Sequence, residues 1–134
     1  MLERAAGTSW LTMPLAARAG WVTAVEDRPE RLAVLHAQIV HGGWPNVTLV
    51  PALADARATG PFDVVVAAWL ASDTPNIRWL SRLAERRLIL TGPLDDAELD
   101  RLRTSTQALG LEVTLHSERF GEDGPRAVAV LDLR

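Results

Sequence analysis

Apolar positions along this chain change their spacing in a regular order. A strand of two to four residues at the start gives way to a turn of small residues and a helix running to about Ala19. Residues 21–25 then read as a strand, and over 29–41 Leu32, Leu35 and Ile39 fall on one helical face, with Pro29 suited to the first turn and Gly42 and Gly43 to the stop. Val47–Val50 is a short strand. Phe62–Ala68 is apolar except for Asp63, the pattern of a strand covered by helices on both faces. A short helix is predicted over 77–84 and a strand over 87–90. Asp95 or Asp96 can cap a helix to Leu109, in which Leu99, Leu102 and Leu109 keep helical spacing before Gly110 stops it. Leu111, Val113 and Leu115 then alternate with Glu112, Thr114 and His116, as in a half-exposed strand. After a loop at 121–126, a last strand over 127–133 closes a hairpin. Strands alternating with helices argue for a doubly wound α/β domain of parallel strands and crossover helices.

Composition narrows the classes. A chain of 134 residues, 48% hydrophobic and 23% charged, is expected to form one domain over 1–134 with a real core. All fourteen basic residues are Arg, they are scattered, and the net charge is −3, so a nucleic-acid partner is not expected. The absence of Cys excludes disulfides, thiolate nucleophiles and cysteine-ligated metals, and a cytoplasmic location is the expectation. The longest apolar run, 64–71, falls far short of the ~20 residues of a membrane helix, and no signal peptide is seen. His36 and His41 are five apart and do not share a helical face as a metal pair would, so no metal is expected, and His116 reads as solvated. Neither a G-x-S-x-G elbow nor a G-x-x-x-x-G-K phosphate loop occurs.

The first turn carries the chemistry. In Glu3-Arg4-Ala5-Ala6-Gly7-Thr8-Ser9, small residues at 5, 7 and 9 let the backbone turn sharply and approach a ligand, while the helix behind offers free N–H groups. A dinucleotide fingerprint would need a small residue where Trp10 stands. That counts against a nicotinamide-dependent oxidoreductase.

On this frame, with Trp10, Leu11 and Thr12 following, the chain resembles the Rossmann-like (class I) S-adenosylmethionine-dependent methyltransferases, nearest to the protein-isoaspartate O-methyltransferase type, whose first motif reads E-x-G-x-G-x-G. Two of the three glycines are Ala5 and Ser9 here. The segments VTAVE at 22–26, PNVTLV at 45–50 and PFDVVV at 61–66 are similar to the family's second, third and fourth strands. The resemblance implies a mostly parallel seven-stranded sheet whose seventh strand is antiparallel and inserts beside the fifth. It implies S-adenosylmethionine as cofactor, with Glu3, Ala5, Gly7, Thr8 and Ser9 along its methionine and ribose and Glu26 on the ribose hydroxyls. Glu26 stands nineteen residues after Gly7, near the ~20 spacing of a ribose-binding acid. Its ordinary alternative is a charge held by the dipole of the next helix.

An acceptor, a small molecule or a protein, is expected beside Ala68, Trp69 and Ser72, although Trp69 equally suits the core. The family's acid after the third strand falls at Ala52 or Leu53, with Asp55 displaced. Family members also carry helices ahead of the first strand, and this chain is expected to start inside that strand, truncated, covered by a partner chain, or left open for something other than catalysis. Two readings follow: a methyltransferase, which can work largely by positioning and needs no conspicuous catalytic dyad, or a non-catalytic methyltransferase-like module that binds a ligand or a partner.

Overall fold

The computed structural model describes residues 1–4, 11–52, 54–55, 60–68, 74–92, 96–119 and 125–133. The architecture is α/β: a seven-stranded, mostly parallel sheet with helices, ending in an antiparallel hairpin. The chain divides into two compact units, Met1–Gly60 and Pro61–Arg134.

The first unit contains β1 (Leu2–Arg4), α1 (Thr12–Ala16), β2 (Val22–Val25), α2 (Pro29–Gly42) and β3 (Val47–Val50). Its strands lie in the order β3-β2-β1, all parallel. Ala24 is opposite Leu49, so both side chains leave the same face. There they meet the helical stripe expected from the sequence: Ala24, Leu35 and Ile39 form a buried cluster, packed round by Met13, Trp44, Val47 and Leu49. Burying a Leu or Ile side chain in this way contributes roughly 1.5–3 kcal/mol each, enough to seat a helix whose other faces are polar or exposed.

Helix α2 stops as predicted. Gly43 takes φ +65°, a left-handed conformation that costs glycine little, and the next two bonds run backwards, Gly43 N–H to Val40 O and Trp44 N–H to Ile39 O. Helix α1 ends at Ala16 rather than near Ala19. Its last carbonyl and one beyond its end are taken from outside the helix: the Asn46 amide donates to Ala16 O at 2.8 Å and to Ala19 O at 3.1 Å.

The second unit contains β4 (Phe62–Ala68), α3 (Thr74–Leu83), β5 (Ala84–Gly92), α4 (Asp96–Ala108), β6 (Glu112–Arg119) and β7 (Pro125–Asp132), with strand order β4-β5-β7-β6. β4 and β5 are parallel, and β7 runs antiparallel between β5 and β6, as the resemblance implied. Consecutive Val65, Val66 and Ala67 are all buried, so both faces of β4 are covered. Phe62 of β4, Ile77, Leu80 and Leu83 of α3, Leu102 of α4, Ala84, Leu88 and Leu90 of β5 and Ala129 and Leu131 of β7 supply the other buried apolar side chains among the described residues.

Boundaries moved where polar residues continue a strand. α3 starts at Thr74, three residues before Ile77, and β5 begins at Ala84, which the sequence placed in the helix. Glu85, Arg86 and Arg87 are exposed at the start of β5, so no apolar pattern marks it. β6 and β7 likewise extend to the pair Arg119 and Pro125, beyond the alternating stretch and into the expected loop.

Candidate functional site

Two buried carboxyl side chains stand where parallel strands of the first unit end. Glu3 is on β1 opposite Ala24 of β2, and Glu26 follows the last residue of β2, its N–H donating to Val50 O at 3.2 Å. Alternation along β2 puts Ala24 and Glu26 on one face, and the register puts Glu3 there too. Glu3 is 3% exposed and Glu26 2%.

The chain holds each carboxyl locally. Arg28 N–H, at the start of α2, donates to Glu26 Oε1 at 3.0 Å, so Glu26 makes the contact expected of an acid at a helix N-terminus while remaining buried at a strand end. Thr12, the first residue of α1, donates its hydroxyl to Glu3 Oε2 at 2.5 Å and is itself fully buried. This bond ties β1 to the start of α1. Burial disfavours the charged form of Glu3 and pushes its pKa from 4.5 up to about 7, against the opposing pull of the Thr12 hydroxyl.

Of the residues expected to line a cofactor, Glu3 and Glu26 are thus brought to the same face and the same end of neighbouring strands. Ala5, Gly7, Thr8 and Ser9 lie outside the described residues. Thr12 joins Glu3 although the sequence marked it only as part of a motif. Its signal was a hydroxyl in the first turn of the helix after the loop, nine residues from a strand-borne acid. Ala68 ends β4 opposite Thr91, and Trp69 and Ser72 lie outside the described residues. Asp55, in the place considered for a displaced acid, is exposed. His36, His41 and His116 are exposed, and among the described residues no three metal-ligating side chains come together. No described helix is long and apolar enough to cross a membrane.

No protein-family model matches this sequence, and no curated protein matches it. Solved structures do match the fold. A precorrin-8W decarboxylase from Methanobacterium thermoautotrophicum has a TM-score of 0.77 at 19% identity, over 98% of this chain and 80% of that one. A ribosomal protein L11 methylase from Lactobacillus delbrueckii has a TM-score of 0.81 at 18% identity, over 99% and 69%. A magnesium protoporphyrin IX methyltransferase from Synechocystis, solved with bound S-adenosylmethionine, has a TM-score of 0.74 at 19% identity, over 97% and 68%. The fold is methyltransferase-like.

Proposed function

We propose that this chain is an S-adenosylmethionine-dependent methyltransferase built as one domain over residues 1–134. The observation that carries the reading is the pair Glu3 and Glu26, two buried acids on one face at the carboxyl ends of adjacent parallel strands, in a methyltransferase-like fold. Ligands of open α/β sheets bind outside the carboxyl ends of the strands.

The residues present suit the cofactor. The Glu26 carboxylate, which accepts from Arg28 N–H, carries two acceptor oxygens, and such a group matches a vicinal diol. Glu26 is assigned to the ribose hydroxyls. Glu3, with Ala5, Gly7, Thr8 and Ser9, is assigned to the methionine and ribose portions, and Ala68, Trp69 and Ser72 to a small-molecule or protein acceptor. The cofactor, when bound, supplies a methyl group already activated on a sulfonium. The protein's task is then to hold that sulfur and the acceptor in line, which positioning alone can do. The order of small residues, Trp10, Leu11 and Thr12 after Glu3 supports the isoaspartate O-methyltransferase type in particular.

Calorimetric titration with S-adenosylmethionine and S-adenosylhomocysteine tests the reading, with micromolar binding expected. The replacement of two motif glycines by Ala5 and Ser9 favours a second reading, a non-catalytic binding module. Silence toward both ligands points to it.

A further inference from the structure

Glu3 is an unusual acid to leave inside a protein. Glu3 is 3% exposed, and the hydroxyl of Thr12, the first residue of α1, donates to its carboxyl at 2.5 Å. Burial and the Thr12 hydroxyl, one raising its pKa and one lowering it, are the influences on it among the described residues, with no basic side chain among them. α1 contributes the Thr12 hydroxyl, and β2 places Ala24 opposite Glu3 with Glu26, an acid, beyond it on the same face. The Met1 ammonium, at the other end of β1, donates to Trp21 O at 3.0 Å.

A carboxylate in such surroundings is disfavoured until a cation arrives. We propose that ligand binding at this site is proton-linked: the Glu3 carboxyl gives up its proton when the cationic amino-acid end of a sulfonium cofactor lies beside it. The inference rests on the reading of the preceding subsection and concerns the charge state of that same site. The O–H bond of the acid breaks, the electron pair stays on the carboxylate oxygen, and the proton passes to solvent. Thr12, which donates to Oε2, is a positioning residue that favours the ionised form.

The burial that raises Glu3 to about 7 sets the range in which this is seen. Linkage then requires the Glu3 contribution, wild type relative to Glu3→Gln, to favour S-adenosylmethionine binding about tenfold more at pH 8 than at pH 6, with about half a proton per site released by Glu3 at pH 7. Calorimetry in buffers of different ionisation enthalpy reads that proton count directly. Glu3→Gln, which keeps an acceptor for Thr12, is expected to abolish it, and subtracting this variant removes the ligand's own amine. Thr12→Val is expected to move the transition to higher pH. The neutral nucleoside 5′-methylthioadenosine, lacking the amino-acid end, is expected to bind without releasing a proton.

Tight binding of S-adenosylmethionine with equal proton counts in wild type and Glu3→Gln overturns the inference and leaves the cofactor reading standing. Proton release on binding methylthioadenosine also overturns it. Absence of S-adenosylmethionine binding at every pH removes the cofactor reading, and the inference with it.

Discussion

Glu3 and Glu26 leave the same face of two neighbouring parallel strands, Glu3 opposite Ala24 and Glu26 two residues beyond Ala24. Both are almost fully buried. Among the described contacts, the Thr12 hydroxyl donates to Glu3 and the Arg28 amide to Glu26. Because these donors sit at the starts of α1 and α2, the two acids link strand ends to helix beginnings on one side of the sheet.

The first prediction concerns stability and pH. Glu3 has a folded pKa of about 7 against 4.5 for an unperturbed Glu, so between these values the folded chain binds more protons than the unfolded one. Stability is therefore greatest below pH 4.5, as far as this group is concerned, and is lost as pH rises through about 7. The expected loss is about 3 kcal/mol. Urea unfolding at pH 5 and pH 8 should show this slope in wild type and a flat response in Glu3→Gln. Equal slopes in the two proteins would refute it.

Removing the Thr12 hydroxyl leaves a buried carboxyl without that donor. Thr12→Val is expected to cost about 1–3 kcal/mol in chemical denaturation, and Thr12→Ser to recover most of it. A valine variant as stable as wild type would show that the bond contributes nothing.

Glu26→Gln replaces a charged acceptor by a neutral amide. Charge-assisted hydrogen bonds are roughly twice as strong as neutral ones, so affinity for S-adenosylmethionine should fall by about tenfold or more, which corresponds to ~1.4 kcal/mol. Unchanged affinity in the titration would remove Glu26 from the ribose.

Leu35 is fully buried at the centre of the Ala24 and Ile39 cluster. Leu35→Ala should destabilise the protein by about 2–5 kcal/mol, read as a lowered urea midpoint. The exposed Val34 beside it is the control, since its truncation should cost far less.

Much of this fold was legible because burial and periodicity coincide in it. The Leu32, Leu35 and Ile39 stripe, the stop at Gly42 and Gly43, and the ends of β3 and β4 needed only local patterns. The start of β5 did not: Glu85, Arg86 and Arg87 are exposed there, and pairing of Ala84 with Phe62, rather than any apolar spacing, makes the segment a strand. The early end of α1 was equally hidden, because the residue that satisfies its carbonyls is thirty positions away. At the site, an acid at the end of β2 could be found by spacing. The partnership of Glu3 with Thr12 could not, since it joins side chains nine residues apart on two different elements.

Asn46 is expected to matter for the order in which the chain takes shape. Its amide reaches back to Ala16 and Ala19, so the short opening helix gains its terminal partners only after the whole second strand, the long helix and the tight stop have been made. During synthesis at about 5–20 residues per second, the N-terminal turn must wait some seconds for that segment to leave the ribosome. The helix α1 is in this sense among the later elements to settle.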